Sequence, residues 1–129
     1  MEETLVIIKP DAFERGLVST IMARIEAKGF KISAIKIFDP APRDLIAEHY
    51  EQDADKPYFS LNCNFMMSGQ LMVIVYKGEN AILCIRNMQG NRGAPGTIRG
   101  DLCNDIRRNL LHASDSLENA AREINIWFN

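Results

Sequence analysis

"LMVIVY" (Leu71–Tyr76) is a run of β-branched and other apolar residues, and it is the clearest predicted β-strand in the chain. Upstream, "TLVIIK" (Thr4–Lys9) predicts a buried strand that Pro10 closes. "FKISAIKIF" (Phe30–Phe38) is rich in β-branched and aromatic residues and predicts another strand. Downstream, "NLLHA" (Asn109–Ala113) predicts a short fourth strand.

Apolar residues at helical spacing predict helices between these strands. The resulting order, β-α-β-αα-β-α-β-α, is a split βαβ pattern with extra helices. It predicts an α+β, ferredoxin-like fold: a four-stranded, mainly antiparallel sheet with helices packed on it, in one domain over residues 1–129. The predicted helices cover Leu17–Ile25 with Gly29 as C-cap, Asp44–Tyr50, a segment after Pro57, Glu79–Met88, a turn near Cys103–Ile106, and a last helix from about Asp115 with Asp115 and Glu118 as a capping box.

The composition is that of an ordinary soluble globular protein, with 47% apolar residues, 25% charged residues and a mean hydropathy of -0.14. No apolar run is long enough to span a bilayer, and "MEETLVIIKP" lacks the pattern of a secretory signal. The three cysteines contain no C-x-x-C pair, which favours a reducing, cytoplasmic location over a disulfide framework or zinc site. The net charge of -2 argues against nucleic acid as the main partner.

Positive charge is nevertheless concentrated in one segment of the sequence, which contains five arginines but only two aspartates. This excess is typical either of a solvated face or of an anion site, since guanidinium groups suit phosphate oxygens. Neither of the glycine-rich phosphate-binding motifs G-x-G-x-x-G and G-x-x-x-x-G-K-[ST] occurs in the chain. Any contacts with phosphate must therefore come from side chains. The segment contains Arg86, Arg92, Arg99, Arg107 and Arg108, against Asp101 and Asp105.

"NLLHASDS" (Asn109–Ser116) places His112 at the end of an apolar run and just before helix-capping residues. Such a histidine is either a half-buried strand residue or a nucleophile held at a strand-to-helix junction, and the local residues leave both open. Glu123 lies at the border of the apolar face of the last helix, where a partly buried acid can turn back toward the preceding strand. The other candidates stand mostly at strand ends and beside them: Lys9, Tyr50, Arg86, Arg99, Asn109 and Ser114.

The motif around His112 resembles the active-site motif of nucleoside diphosphate kinases. "IIKPDAFERGLV", "EHY", "KPYF", "PGTIRGD" and "EINIWF" are also similar to that family and follow its order, so the resemblance covers essentially the whole chain. It implies reversible, ping-pong transfer of the terminal phosphoryl group from a nucleoside triphosphate to a nucleoside diphosphate, with Mg²⁺ bound to the nucleotide. A nucleotide-binding scaffold with little catalysis is the alternative, and a ferredoxin-like nucleic-acid binder is disfavoured by the acidic pI.

The resemblance also assigns roles to individual residues. His112 becomes the phosphohistidine, Glu123 orients its imidazole, and Ser114 supports Glu123. The phosphates and ribose contact Lys9, Tyr50, Arg86, Arg99 and Asn109. The base stacks between Tyr58 and Ile106, and Asp115 is an outer-shell partner of Mg²⁺ through water.

The chain departs from the family pattern in two segments. Between Gly90 and Pro95 it has only "NRGA", so a family threonine that touches phosphate has no clear equivalent, and Asn91 or Arg92 is the candidate replacement. The chain ends at Asn129, whereas many relatives have a C-terminal extension. Both segments commonly contribute to subunit contacts, so a homo-oligomer is expected but a hexamer is left open.

Two further positions bear on the base. Asn62 stands where an apolar residue is usual, and Arg107 stands where a glycine is usual. Together with the short loop they resemble the form found in giant DNA viruses, which places the protein in the host cytoplasm. Both side chains can donate hydrogen bonds and both occupy room, so we expect a shift toward the smaller pyrimidine nucleotides.

Overall fold

The computed structural model describes residues 1–129, in which four strands form one sheet in the order β2-β3-β1-β4. Every neighbouring pair is antiparallel. β1 and β2 therefore run parallel to each other on either side of β3, and β3 and β4 do so on either side of β1. This is the split βαβ arrangement, so the predicted α+β, ferredoxin-like fold is confirmed. The strands are β1 (Glu2–Ile8), β2 (Lys31–Phe38), β3 (Leu71–Gly78) and β4 (Leu111–Ala113).

Seven α-helices and one 3₁₀ turn connect and cover the strands. None of the helices is both long and apolar enough to cross a membrane. The helices are α1 (Pro10–Glu14), α2 (Val18–Ala27), α3 (Arg43–His49), α4 (Phe59–Met66), α5 (Ala81–Gln89), α6 (Ile98–Leu102) and α7 (Leu117–Phe128), with the 3₁₀ turn at Glu51–Asp53.

The two central strands are buried on both faces, because alternate residues of each strand pack into different cores. Val6 and Ile8 of β1 face a core shared with α2 and α5. Leu5 and Ile7 face a second core, which contains Ile46 and Trp127 from the helices on the other face. The continuous apolar runs in β1 and β3 follow from this double burial.

The N-terminal half of the chain holds one helix that the sequence analysis missed. Pro10 ends β1 as predicted, but it also opens α1. A proline is well suited to the first turn of a helix, since it has no N–H group to leave unpaired there. The C-cap of α2 is Lys28 rather than the predicted Gly29, which follows it with φ of +104°, a conformation that suits glycine just after a helix.

The helical turn predicted near Cys103–Ile106 is wrong, because the helix lies earlier, at α6. Thr97 caps it by accepting a hydrogen bond from the Gly100 N–H at 3.0 Å. A side chain at Gly100 would collide with the Ala94 carbonyl, since a Cβ there would lie 1.8 Å from that oxygen. The glycine-rich loop is therefore closely packed rather than open.

The predicted capping box of α7 is also wrong. Ser116 is the N-cap, and its Oγ accepts from the Asn119 N–H at 3.0 Å. Asp115 instead accepts a hydrogen bond from the Asn119 side chain at 2.6 Å.

The fourth strand is shorter than predicted. β4 begins at Leu111 rather than at Asn109, because a tight turn at Leu110 interrupts the extended chain.

Candidate active site

His112 stands on an edge strand beside the end of β1. β4 pairs with β1 so that His112 lies opposite Ile7, while Leu111 and Ala113 lie opposite Ile8 and Val6. Because residues opposite each other share a face, Leu111 and Ala113 enter the first core and His112 enters the side covered by α7. The imidazole is 18% exposed, so one edge of the ring reaches the surface.

Glu123 and Ser114 hold the His112 ring from the side of α7. The Oε1 atom of Glu123 lies 3.0 Å from His112 Nε2 and accepts a hydrogen bond from Ser114 Oγ at 2.6 Å. Burial raises the pKa of Glu123, but the His112 hydrogen bond and charge and the Ser114 hydroxyl outweigh that effect and bring its pKa below the usual range. An ionised carboxylate therefore accepts the Nε2–H of His112, which leaves Nδ1 as the free nitrogen.

A second histidine packs against the first. The rings of His49 and His112 are edge to face, with centroids 4.6 Å apart. Trp127 Nε1 donates to His49 Nδ1 at 3.1 Å, and His49 is 5% exposed. Burial, with the nearby His112, lowers the pKa of His49 to about 3, so this ring is neutral and carries its proton on Nε2.

The cluster of His49, His112 and Glu123 has the composition of a metal site, since its ligand atoms lie within 4.8 Å of one another. The hydrogen bonds argue against that role. His49 Nδ1 accepts from Trp127 and its Nε2 holds the proton, so this ring has no free lone pair for a metal. Glu123 is committed to His112 and Ser114. The cluster therefore orients an imidazole and is not a metal centre.

Two arginines brace the outer edge of β4 on either side of His112. Arg86 from α5 donates to the Ala113 carbonyl at 2.7 Å. Arg99 from α6 donates to the Leu111 carbonyl at 2.7 Å and the Asn109 carbonyl at 3.3 Å. An edge strand has backbone groups without a strand partner, and these guanidinium groups satisfy them. Each guanidinium has five N–H donors, so donors remain for an anion near His112.

Lys9 and Asn109 form a polar pair at the end of β1. Lys9 Nζ donates to Asn109 Oδ1 at 2.7 Å, and Lys9 is 8% exposed. Burial, aided by the positive charge of Arg99, lowers the pKa of Lys9 to about 8. Asn109 is further fixed by donating from Nδ2 to the Ile106 carbonyl at 2.8 Å.

Two adjoining cavities open beside this pair and share Ile106 and Asn109. One, of about 120 Å³, is lined by Lys9, Tyr50, Asn62, Phe65, Met66, Ile106, Arg107 and Asn109. The other, of about 160 Å³, is lined by Asn91, Arg92, Arg99, Cys103, Asp105, Ile106 and Asn109.

The structure thus brings most of the predicted residues together. Arg107 Nε donates to Asn62 Oδ1 at 3.2 Å, which joins α4 to the segment before β4. Tyr58 lies at the N-cap of α4, 39% exposed, and Asp115 is an exposed carboxylate; neither lines the two cavities. A larger cavity of about 620 Å³ lies at the opposite end of β1 and β3 and contains none of the predicted site residues.

The sequence analysis did not single out three residues that hold the site: Asp11, His49 and Trp127. Each stands inside a motif quoted above, namely "IIKPDAFERGLV", "EHY" and "EINIWF". Their partners are far away along the chain, so no local pattern assigned them a role. What results is a free imidazole nitrogen beside two guanidinium groups and a lysine, an arrangement suited to an anionic electrophile such as a phosphate.

Comparison with protein families agrees with this chemistry. Residues 2–129 match the family model for nucleoside diphosphate kinase. The chain is similar to a nucleoside diphosphate kinase of Acanthamoeba polyphaga mimivirus, with 59% identity over 99% of this chain and 93% of the relative. It is also similar to a nucleoside diphosphate kinase of Corynebacterium diphtheriae, with 46% identity over 98% of this chain and 96% of the relative.

Solved structures of the same kind superpose closely. A nucleoside diphosphate kinase of Encephalitozoon cuniculi, in an apo form, gives a TM-score of 0.94 at 37% identity, covering 99% of this chain and 89% of that one. A halophilic nucleoside diphosphate kinase of Halobacterium salinarum in complex with CDP gives a TM-score of 0.93 at 38% identity, covering 99% of this chain and 88% of that one.

The neutral state of His49 predicts a pH dependence of stability. The pKa of His49 is about 3 in the folded chain and near the ordinary 6.5 when unfolded, so the unfolded chain binds this proton more readily. The contribution of His49 is complete above pH 6.5 and is lost as the pH falls toward 3. We expect the free energy of urea unfolding to fall by up to about 1.4 kcal/mol per pH unit more steeply in wild type than in His49→Asn. The asparagine still offers Trp127 an acceptor, and equal slopes would contradict this state of His49.

Proposed function

The chain belongs to the nucleoside diphosphate kinase family and is an enzyme of that activity, and we propose that it works through a phosphohistidine on His112. The observation that carries the proposal is the 3.0 Å contact between His112 Nε2 and Glu123. It commits Nε2 to the carboxylate and leaves Nδ1 free to act as the nucleophile.

The reaction divides into two similar halves. The Nδ1 lone pair of His112 attacks the terminal phosphorus of a nucleoside triphosphate, and the bond from that phosphorus to the bridging oxygen breaks. The nucleoside diphosphate leaves with the bonding electrons. A terminal oxygen of a second nucleoside diphosphate then attacks the phosphohistidine, and the electrons of the P–N bond return to Nδ1. One site thus serves donor and acceptor in turn, and the kinetics are ping-pong.

Catalysis of this transfer depends on position and charge compensation, because the migrating phosphoryl group carries charge on three oxygens. Arg86 and Arg99 flank His112, and Lys9 lies at the neighbouring strand end. Glu123 balances the positive charge that develops on the ring when Nδ1 becomes bonded to phosphorus.

Mg²⁺ fits this site as a companion of the nucleotide rather than as a resident ion. The nearby carboxylates are already engaged: Glu123 with His112 and Ser114, Asp105 with the N–H groups of Arg107 and Arg108, and Asp115 with Asn119. Phosphate oxygens and water would thus be its main ligands, and the exposed Asp115 would be an outer-shell partner through water. Bound there, Mg²⁺ would neutralise phosphate charge.

The phosphohistidine is directly testable. Incubation with a terminally labelled nucleoside triphosphate and Mg²⁺ is expected to leave an acid-labile, base-stable phosphate on the wild-type chain. His112→Ala is expected to lose both the label and turnover, because no other residue presents a free imidazole nitrogen at this position. Exposed Leu83→Ala serves as a control for protein handling and is expected to label normally. Turnover by wild type without a labelled intermediate, or label retained in His112→Ala, would overturn the mechanism.

Arg107 and Asn62 supply the basis for a preference between bases. Their hydrogen bond joins them in the lining of the smaller cavity, with Lys9 and Tyr50. Arg107 retains terminal N–H donors and Asn62 retains its amide N–H groups, and a pyrimidine keto oxygen is an acceptor for either. A purine requires more room where these side chains lie. We therefore propose that the enzyme favours pyrimidine nucleotides.

We expect kcat/KM to favour pyrimidine over purine diphosphates by about tenfold, the effect of one hydrogen bond to a charged donor. Asn62→Leu and Arg107→Gly should each reduce this ratio. Arg92 lines the neighbouring cavity with Arg99, on the side where we propose the phosphates bind. Arg92→Gln should therefore lower kcat/KM for all bases alike. A wild type with no base preference, or a preference that survives both substitutions, would refute this account of the cleft.

We also propose that the chain forms a homo-oligomer. β2 is an edge strand that exposes three isoleucines, Ile32 at 43%, Ile35 at 44% and Ile37 at 58%. An exposed apolar edge strand is a surface that proteins ordinarily cover. Sedimentation equilibrium should give a multiple of the 14.6 kDa chain mass, and Ile35→Lys with Ile37→Lys should lower it. A monomeric wild type would contradict the proposal.

A further inference from the structure

Leu110 adopts a conformation that leucine rarely takes, two residues before His112. Its φ is +80°, in the region that favours glycine. The Leu111 N–H donates to the Asn109 carbonyl at 3.0 Å, which closes a three-residue turn around Leu110. The chain enters β4 directly from this turn.

The turn has a consequence for which face each side chain meets. In an extended strand Leu110 would point to the same side as His112, since side chains alternate. Instead Leu110 and Leu111 are both fully buried in the first core, and His112 alone turns to the side of Glu123. The unusual backbone is thus what allows two successive leucines to be buried while His112 faces α7.

Lys9, just after β1, and Asp11, in α1, both hydrogen-bond to the backbone of Leu110. The Lys9 N–H donates to the Leu110 carbonyl at 2.9 Å, as a continuation of the strand pairing. The Leu110 N–H donates to Asp11 Oδ2 at 3.1 Å. Asp11 is 3% exposed, and its Oδ1 has no hydrogen-bond partner.

We propose that Asp11 is a positioning residue for phosphoryl transfer: by accepting the Leu110 N–H it keeps the strained turn that aims Asn109 and His112. The charges of Lys9 and Arg108 favour the ionised form of this carboxylate, but neither residue forms an ion pair with it. Burial raises the pKa of Asp11, because the ionised carboxylate has lost contact with water.

This role differs from that of a residue that only stabilises the fold, because it requires coupling between Asp11 and the backbone of Leu110. A glycine at position 110 adopts a φ of +80° without steric strain and needs less support. Loss of the Asp11 hydrogen bond should therefore lower turnover less when Leu110 is replaced by glycine. A change of about 1 Å in the position of a reacting group lowers rates by about a hundredfold, so the effect is measurable.

The experiment is a double-mutant cycle on the full-length enzyme, with turnover measured for ATP and a nucleoside diphosphate. Asp11→Ala is expected to lower kcat/KM at least tenfold in wild type and less than threefold in Leu110→Gly. Asp11→Asn keeps an acceptor oxygen and should stay within about threefold of wild type. Glu14→Ala removes an exposed carboxylate from the same helix and should leave turnover unchanged.

Equal losses from Asp11→Ala in the two backgrounds would overturn the inference, as would Asp11→Asn being as impaired as Asp11→Ala. If Leu110→Gly does not fold, the comparison of Asp11→Asn with Asp11→Ala decides by itself. The role of Asp11 rests on the proposed role of His112 only in explaining why the turn matters. Overall turnover can be measured whether or not His112 is the nucleophile. Absence of a phosphate label on His112 would overturn the proposed mechanism, but the double-mutant cycle of Asp11 and Leu110 could still be interpreted.

Discussion

The pairing of β4 with the end of β1 is the interaction on which the whole site depends. It contains only three residue pairs, extended at one end by Ser114 N–H to the Leu5 carbonyl at 3.1 Å and at the other by Lys9 N–H to the Leu110 carbonyl at 2.9 Å. This register sends His112 to the side of α7 and places Lys9 beside Asn109. A shift of one residue would turn His112 into the apolar core, because side chains alternate along a strand.

So short an edge strand needs support from outside the sheet. Arg86 and Arg99 supply it by hydrogen-bonding to the carbonyls on both sides of His112. Glu123 supplies it from α7 by contacting both His112 and Ser114, the residue after β4. The same guanidinium groups carry the positive charge that a polyphosphate requires. Structural support and the proposed anion binding are thus combined in the same side chains, which keeps the donors fixed before a substrate arrives.

The buried ionisable groups of the site differ in charge, and the surroundings of each group explain its protonation state. Glu123 is charged because His112 and Ser114 donate to it, whereas His49 is neutral because it is buried and Trp127 occupies its Nδ1. A charged His49 would place a cation against the His112 ring, with the two ring centroids 4.6 Å apart. The neutral ring instead packs His112 in place without competing for the charge of Glu123.

The four strands, most helices and the polar residues around His112 could be predicted from the sequence, because apolar periodicity and the motif around His112 are local along the chain. The predictions failed at α1, α6, the cap of α7 and the start of β4, where a single hydrogen bond or turn sets the boundary. The turn at Leu110, the tautomer of His49 and the contact of Arg107 with Asn62 depend on the folded chain. Their partners stand 99, 78 and 45 residues apart, and a sequence pattern carries no record of which distant groups meet.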